Sequence, residues 1–292
     1  MMAAATIAHL KATSPVTTDE EFAKFCEFFY RKTGIQFKDG KKYFVERRIT
    51  DRIEKTRSDS FRDYFTMVRF DESGEELQLL VNSMTVNETY FFREDYQFDA
   101  LVGGILPEIA RTKPRVTPIR IWSIPCSSGE EPYSIAISIL ERWDLADSWN
   151  IEISASDIDS KILHTARKGI FSERSVSRVS AQLRSKYFTT RLDGDFQICE
   201  ALRESIDFSL VNVVDPLHTR RFREIDVIFC RNLLIYFDDI GRRETVEMFF
   251  DALRPGGYIC LGHSESMSRM SSIFLPRKFK ESIVYQKPLS AE

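Results

Sequence analysis

The chain has 292 residues, 43% of them hydrophobic and 29% charged, which is typical of a soluble globular protein with one large domain or two smaller ones. The net charge of −3 gives no global signature of nucleic-acid binding, and no stretch approaches the roughly 18 apolar residues that span a membrane. The five cysteines occur singly, without C-x-x-C pairs, and the four histidines lack metal-ligand spacing. These features predict a cytoplasmic protein with reduced thiols and no metal site.

The first part of the chain is predicted to be helical. Residues 1–16 are interpreted as a disordered tail rather than a signal peptide, because no charged region precedes their short apolar run. An N-terminal helical domain is predicted over residues 17–110, followed by a linker at residues 111–118 that contains two prolines and several basic residues. Its predicted helices comprise one that starts with an N-cap and an acidic first turn at residues 18–21 and ends at Gly34, and others at residues 42–57, 58–69 and 75–86.

From residue 119 onward, apolar β-rich runs alternate with helical patterns, which predicts an α/β domain with a mostly parallel sheet over residues 119–292. The predicted strands lie at residues 120–124, 151–155, 206–211, 225–230, 258–261 and 283–286. The predicted helices lie at residues 132–143, 160–167 and 240–252. A hairpin turn signal at Leu192–Asp193–Gly194–Asp195 predicts a small antiparallel insertion at about residues 187–206.

The segment IWSIPCSSGEEPYS at residues 121–134 reads as a strand, a turn of small residues and a helix start. Two glutamates at the helix start would repel a phosphate, so the turn favours a ligand with hydroxyls, an amine or a sulfonium. The turn also lacks the G-x-G-x-x-G pattern of dinucleotide-binding folds. The alternative is that the glutamates only complement the helix dipole.

Polar residues follow several predicted strands at the sheet edge where ligands bind in open α/β sheets. Asp157 ends the second strand and suits the two hydroxyls of a ribose, or it caps the helix that begins near Asp159. Asn212 follows another strand and suits an adenine edge, or it stabilises a turn. The strand at residues 225–230 brings Cys230, Arg231 and Asn232 to the same edge.

Six segments of the chain form a recognisable set: VNETYFFRE (86–94), WSIPCSSGEEPYSIA (122–136), SASDID (154–159), FSLVN (208–212), DVIFCRNLLIYFD (226–238) and LRPGGYICLGHSES (253–266). They resemble the motifs of the CheR-type chemotaxis receptor methyltransferases, which methylate glutamates with S-adenosylmethionine. The resemblance spans about two-thirds of the chain, in the family order. It implies a small all-α domain followed by a Rossmann-like class I S-adenosylmethionine-dependent methyltransferase domain with an inserted antiparallel β-subdomain.

The resemblance also implies roles for individual residues. It places Arg93 and Tyr236 closest to the transferred methyl group. Arg93 could hold the substrate carboxylate or the cofactor's own carboxylate, or it could form only a salt bridge to Glu94 or Asp95. Tyr236 could shape the methyl channel or be a core aromatic, and His263 is expected to be structural. The implied cofactor contacts are Asn87, Thr89, Arg93, Glu131, Asp157, Asn212, Val213, Cys230 and Arg231.

The implied reaction is transfer of a methyl group to a glutamate oxygen, with S-adenosylhomocysteine as the product. A glutamate with a pKa of about 4.3 is already ionised at neutral pH, so no general base is needed. This agrees with the lack of a Ser–His–Asp arrangement or a catalytic cysteine pair among the motifs. Two other functions are the alternatives: a cofactor-sensing or receptor-docking module without turnover, and an NAD-dependent oxidoreductase, which the missing motif glycines disfavour.

The expected partner is the acidic cytoplasmic helical domain of a chemoreceptor. The protein itself is expected to be a monomer that is neither inserted in a membrane nor bound to nucleic acid. On the helix at residues 42–57, a basic strip formed by Lys41, Arg48, Arg52 and Lys55 borders an apolar stripe. The strip is interpreted as a docking site for this partner, with a solvated face as the alternative. The hairpin TTRLDGDFQ departs from the glycine-rich version of family members that bind a receptor tail, so tail binding is not expected.

Overall fold

The computed structural model describes residues 16–37, 40–267 and 270–289, so most of the predicted N-terminal tail lies outside the described residues. The described chain divides into two compact units. The first takes the residues up to Arg31 and from Phe37 to Met84, and the second takes Lys32–Gln36 and the residues from Thr85 onward. None of the helices in the described ranges is long and apolar enough to cross a membrane.

The first unit is all helical. Its helices are α1 (Asp19–Thr33), α2 (Lys42–Thr56), α3 (Phe61–Phe70) and α4 (Glu75–Met84). The predicted start of α1 is confirmed as a capping box, because the Thr18 hydroxyl accepts from the Glu21 N–H while the Glu21 carboxylate accepts from the Thr18 N–H. The core of this unit contains the buried side chains of Phe25, Phe29 and Ile49.

The second unit begins earlier than the sequence predicted. The helical domain was expected to reach residue 110, but the division falls between Met84 and Thr85. Phe98 explains the difference: its ring stacks on that of Phe229 at 6.0 Å, so the helices after Met84 share the core of the sheet. The predicted linker also begins inside a helix, which ends at Thr112.

The second unit alternates strands and helices. Its helices are α5 (Tyr96–Ala100), α6 (Leu106–Thr112), α7 (Glu130–Arg142), α8 (Ser160–Lys168), α9 (Glu173–Val176), α10 (Ala181–Tyr187), α11 (Glu200–Glu204), α12 (Pro216–Thr219) and α13 (Asp239–Ala252), with a π-helical turn at Leu101–Ile105 and 3₁₀ turns at Ala146–Ser148 and Leu234–Tyr236. Its strands are β1 (Ile119–Ser123), β2 (Ile151–Asp157), β3 (Ile170–Phe171), β4 (Phe188–Thr190), β5 (Phe196–Ile198), β6 (Ile206–Leu210), β7 (Ile225–Cys230), β8 (Leu253–Leu261), β9 (Leu275–Phe279) and β10 (Ser282–Gln286).

The large sheet has the strand order β6-β2-β1-β7-β8-β10-β9. The first five strands in this order are parallel, and β10 and β9 are antiparallel additions at one edge. The chain goes from β1 outward to β2 on one side and later returns to β7 on the other, so the strand order reverses between β1 and β7. That reversal creates the crevice in which open α/β sheets bind ligands.

The two faces of the sheet are both buried, which explains the continuous apolar runs of its central strands. On β1, Ile121 belongs to the core on one face and Trp122 to the core on the other. Trp122 stacks on Phe222 with ring centroids 3.9 Å apart.

A second, three-stranded antiparallel sheet has the order β3-β5-β4. It confirms the predicted antiparallel excursion, with the predicted hairpin turn between β4 and β5. It starts earlier than the predicted insertion at about residues 187–206, because the two-residue strand β3 also joins it. Strands this short carry too few residues for a periodic pattern.

Candidate functional site

The turn after β1 lies over the carboxyl end of the neighbouring strand. The Cys126 N–H donates to the carbonyl of Ser156, and the turn contains Ser127 at φ 49° and Gly129 at φ 98°. A Cβ on Gly129 would lie 3.0 Å from the Tyr133 ring and 3.2 Å from Ala166. Only glycine therefore combines this backbone angle with the close packing of the start of α7.

Asp157 ends β2 directly beneath this turn. Its two carboxylate oxygens accept from the N–H of Ser127 at 2.9 Å and from the N–H of Asp159 at 3.0 Å. Burial raises the pKa of Asp157 to about 6. The cap of α8 is Asp159, which accepts from the N–H groups of Lys161 and Ile162, so the capping alternative for Asp157 is wrong.

Asn87 is joined to the same group of carboxylates. Its side-chain amide donates to Asp159 at 2.8 Å, and Thr85 donates to the same oxygen at 2.7 Å. Asp159 thus connects the segment of Asn87 with the end of β2. Thr89 lies two residues further along that segment and is partly buried.

The two glutamates at the start of α7 have separate partners. Glu130 accepts from the hydroxyls of Ser128 and Ser175, both at 2.6 Å. Glu131 accepts from Ser123 at 2.8 Å and pairs with Arg231 at 2.9 Å. Burial raises the pKa of both glutamates. Specific side-chain contacts therefore hold them, beyond any interaction with the helix dipole.

Arg231 is the centre of a buried ionic network. Its side chain is only 3% exposed, and it pairs with Glu131 and also with Glu94 at 3.3 Å. It also donates to the carbonyl of Arg93 at 2.6 Å. Glu94 pairs in addition with His263 at 3.0 Å. Burial opposes the ionisation of Glu94, but Arg231 and His263 outweigh it and lower the pKa of this carboxyl.

Arg93 occupies a turn that is fixed on both sides. Phe92 and Glu94 have φ angles of 55° and 56°, which non-glycine residues rarely adopt. The Phe92 N–H donates to Ser134 at 3.0 Å, while Arg231 holds the Arg93 carbonyl and the Glu94 carboxylate. The surrounding contacts therefore impose the backbone on which the Arg93 side chain is presented.

The Arg93 side chain donates to the carbonyl of Glu88 at 2.8 Å, and its guanidinium lies 5.8 Å from the centre of the Tyr90 ring. Within the described part of the chain it makes no ion pair, so neither Glu94 nor Asp95 pairs with it. Burial raises the pKa of Tyr236, and the nearby Arg93 opposes that shift. Arg93 is therefore close enough to Tyr236 to affect its charge, while the roles that the resemblance implies for these two residues near the methyl group stay predictions.

The Tyr236 turn is anchored by Glu265. This carboxylate accepts from the N–H groups of Asn232 at 2.9 Å and Leu234 at 2.8 Å. Cys230, the last residue of β7, is fully buried, and burial raises the pKa of its thiol well above the usual value. Its side chain is a packing group.

Asn212 holds its own turn. Its side-chain nitrogen donates to the carbonyl of Lys32 at 2.6 Å, and its oxygen accepts from the Val214 N–H at 3.3 Å. These contacts match the turn-stabilising alternative, and the adenine role stays a prediction. Val213 is buried beside it.

The basic strip on α2 is less uniform than the sequence suggested. Lys41 and Lys55 are exposed. Arg48 lies 5.1 Å from the Phe44 ring and is about 39% exposed, whereas Arg52 is only 12% exposed. Arg52 pairs with Glu76 at 2.6 Å, so its charge is used within the first unit and is not free for a partner. This corrects the interpretation of the strip as four equivalent docking cations.

Four acidic or hydroxyl residues hold the site together but were not predicted as site residues. Glu94 could have been found, because a carboxylate next to the predicted functional residue Arg93 is a detectable signal. Its partner Arg231, however, follows a strand that is distant in the sequence. The residues are Glu94, Asp159, Ser175 and Glu265.

The parallel sheet, its switch point between β1 and β7 and the polar residues at its rim define a Rossmann-like methyltransferase fold. Family models agree: residues 20–85 match the CheR methyltransferase all-alpha domain, and residues 87–283 match the CheR methyltransferase S-adenosylmethionine-binding domain. The chain belongs to the CheR methyltransferase family.

Proteins with similar sequences support this assignment. Chemotaxis protein methyltransferase 2 of Vibrio cholerae is 52% identical over 94% of each chain. Chemotaxis protein methyltransferase 2 of Pseudomonas aeruginosa is 36% identical over 88% of this chain and 90% of its own. The chemotaxis protein methyltransferase of Salmonella typhimurium is 34% identical over 87% of this chain and 86% of its own.

The rim fits the cofactor that this family implies. Two buried polar atoms, the Ser127 hydroxyl and Arg231 Nε, lack a hydrogen-bond partner among the described residues. They lie in the turn after β1 and at the end of β7, on either side of the crevice. The buried carboxylates of Asp157 and Glu131 make the same rim acidic, which suits a sulfonium or ammonium cation that also carries ribose hydroxyls.

Proposed function

We propose that this protein methylates glutamate side chains of chemoreceptor cytoplasmic helices with S-adenosylmethionine, giving glutamate methyl esters and S-adenosylhomocysteine for sensory adaptation. The family and the named relatives support this substrate class. The observation that carries the proposal is Arg93, which lies on a turn with a fixed backbone and makes no ion pair among the described residues.

The chemistry requires placement rather than proton transfer. When bound, S-adenosylmethionine supplies an electrophilic methyl group on a positively charged sulfur. A glutamate oxygen forms the new C–O bond as the C–S bond breaks, and the sulfur keeps the electron pair. The acceptor is already ionised at neutral pH, so the protein has only to align it and to exclude water.

Arg93 is the proposed acceptor-binding residue. Its guanidinium fork can hold one carboxylate oxygen while the other faces the methyl group. The fixed turn from Phe92 to Glu94 limits the positions that the fork can take, which reduces the entropy lost on alignment. Tyr236 is proposed to shape the space around the methyl group with its ring, on a turn that Glu265 holds.

The remaining rim residues are proposed cofactor contacts. Asp157 would accept the ribose hydroxyls, since both its oxygens keep further lone pairs after binding two N–H groups. Arg231 and Glu131 form one ion pair, so we expect each to affect the cofactor partly through the other. The other proposed contacts are Asn87, Thr89, Asn212, Val213 and Cys230, the last through its backbone.

The test is incubation with methyl-labelled S-adenosylmethionine and receptor-bearing membranes. Base-labile label on the receptor is expected, because methyl esters hydrolyse in base. Arg93→Ala should abolish most of the label and leave affinity for S-adenosylhomocysteine in calorimetry close to wild type. Tight binding of S-adenosylhomocysteine with no label would instead favour a docking or signalling module without turnover.

A further inference from the structure

A second arginine lies over the same aromatic ring as Arg93. The Arg178 guanidinium is 4.8 Å from the centre of the Tyr90 ring, and that of Arg93 is 5.8 Å from it. The distance between the two guanidinium carbons therefore cannot exceed the sum of these two distances. Arg178 is exposed, and no ion pair of Arg178 is found among the described residues.

The segment that carries Arg178 is rigidly attached to the Arg93 segment. The Phe91 N–H donates to the Ser175 carbonyl at 3.1 Å, and the Ser175 hydroxyl donates to buried Glu130 at 2.6 Å. Val176 and Val179 are buried on either side of the exposed arginine. The position of Arg178 relative to Arg93 is thus set by the fold and does not depend on a free loop.

The neighbouring arginine provides a contrast. Arg174 lies in the same segment and pairs with Glu88 at 3.1 Å, so its charge is already balanced. Within the described ranges, the cations near Tyr90 that make no ion pair are Arg93 and Arg178. A cation–π contact with Tyr90 restrains each guanidinium, and the N–H groups that remain can bind a carboxylate.

We propose that Arg178 binds a second carboxylate of the acceptor helix, about one helical turn from the glutamate that Arg93 holds. The proposal rests on the proposed function and adds a specificity determinant to it. Side chains three or four residues apart on a helix have Cβ atoms about 5–6 Å apart, a spacing that two neighbouring arginines can bridge. Such a pair would select acidic helices and fix the register of the acceptor.

Methylation changes the two contacts differently. The ester that forms at Arg93 is neutral, so Arg93 no longer has an anionic partner. The carboxylate at Arg178 is not methylated and keeps its negative charge. The product is therefore held by one ionic contact where the substrate had two, which favours its release.

The test measures methylation kinetics with a soluble cytoplasmic fragment of a chemoreceptor that the wild-type protein methylates. Arg178→Glu should raise the KM for the fragment about tenfold, equivalent to about 1.4 kcal/mol. The kcat and the affinity for S-adenosylhomocysteine should stay near wild type. Arg178→Lys should recover most of the loss, because it keeps the charge.

Two matched charge reversals serve as controls. Arg115→Glu alters an exposed arginine that precedes β1, at the amino end of the strands, and should leave the KM unchanged. Arg174→Glu should have a smaller effect than Arg178→Glu because Glu88 already neutralises Arg174. Thermal melts of all variants check that these exposed changes do not unfold the protein.

The second carboxylate is tested on the fragment itself. Replacing the glutamates three and four residues from the acceptor by glutamine should raise the wild-type KM and remove the effect of Arg178→Glu. An equal KM for Arg178→Glu and Arg115→Glu would overturn the inference while leaving the proposed function intact. If the wild-type protein methylates no receptor fragment, the proposed function fails and the inference fails with it.

Discussion

The charges around Arg231 and the charges on α2 belong to two different physical regimes. Arg231 is 3% exposed and its pairs with Glu94 and Glu131 are buried. On α2, Lys41 and Lys55 are exposed to solvent. A buried charge fixes its neighbours because leaving any of them unpaired is costly, while an exposed charge acts on a partner over distance and is screened by salt.

This contrast separates the charges that hold a site in a fixed geometry from the charges that act at the protein surface. The buried network imposes the unusual backbone angles on either side of Arg93. The exposed lysines need no fixed geometry to accelerate encounter with an acidic surface. Arg52 lies on α2 but belongs with the buried charges, because its side chain is only 12% exposed and pairs with Glu76.

Removal of the central arginine is expected to have the largest effect. Arg231→Ala leaves Glu94 and Glu131 without their buried partner, so the free energy of unfolding should fall by about 3–5 kcal/mol in denaturant titrations. The control is Arg120→Ala. Arg120 pairs with Glu152, and their side chains are 41% and 49% exposed, respectively. That change should cost less than about 1 kcal/mol, and an equal loss in both variants would break the distinction between the two regimes.

Glu94→Gln should act on catalysis through the Arg93 turn. The variant keeps the size of the side chain but weakens the contacts to Arg231 and His263. We expect kcat for receptor methylation to fall by up to about 100-fold, since small misplacements of a positioning group can cost that much. Affinity for S-adenosylhomocysteine should change little.

Asp95→Asn, at the exposed neighbouring position, is the matched control and should be active. In an Arg93→Ala background, Glu94→Gln should have no further effect on kcat, because the residue acts through Arg93. A full additional loss in the double variant would show that Glu94 acts independently of Arg93.

Asp157 should give cofactor binding a pH dependence. Ribose hydroxyls need the ionised carboxylate, so affinity for S-adenosylhomocysteine should weaken as the pH falls below about 6. Asp157→Asn should bind about tenfold or more weakly and lose this pH dependence in calorimetry, given the strength of hydrogen bonds to charged groups. A wild-type affinity that stays constant through this range would contradict the ribose assignment.

The same carboxyl has the opposite effect on the unliganded protein. Its pKa is raised above the usual 3.8, so the folded state favours the protonated form. Its contribution to stability is therefore greatest below pH 3.8 and declines as the pH rises through about 6. Comparing thermal melts of wild type and Asp157→Asn across this range separates the folding effect from the binding effect.

The smallest effect is expected on α2. Lys41→Glu combined with Lys55→Glu should raise the KM for receptor methylation a few-fold at low salt and less at high salt, without altering cofactor affinity. Arg52→Glu should instead lower stability, because it places a second negative charge beside Glu76. Identical receptor kinetics for the lysine variant and wild type would reject docking on this helix.

Much of the fold was predictable because long elements repeat their pattern many times. The strand at residues 225–230 was predicted with its observed bounds, since only Asp226 interrupts its apolar run and the polar residues Arg231 and Asn232 follow it. The short strands β3 and β9 were missed: β3 has two residues, and β9 is an edge strand with most of its side chains at least partly exposed. The boundary between the two units was misplaced because helical periodicity shows that the segments after Met84 form helices but does not show which core they join.

The candidate site shows the same limit. Asp157 was placed at the rim because it follows a strand, and the structure confirms that position. The sequence could not show that Asn87 binds Asp159, since these residues are 72 positions apart.

The sequence by itself determined the classes of secondary structure, the acidic turn after β1 and the set of polar residues that end its strands, because local periodicity and turn chemistry depend on neighbours in the chain. The tertiary structure decided which charges are paired. Arg231 reaches Glu94 and Glu131 across the switch point, and Arg52 reaches Glu76 across two helices. Pairing depends on distances between remote segments, and only the packed core sets those distances.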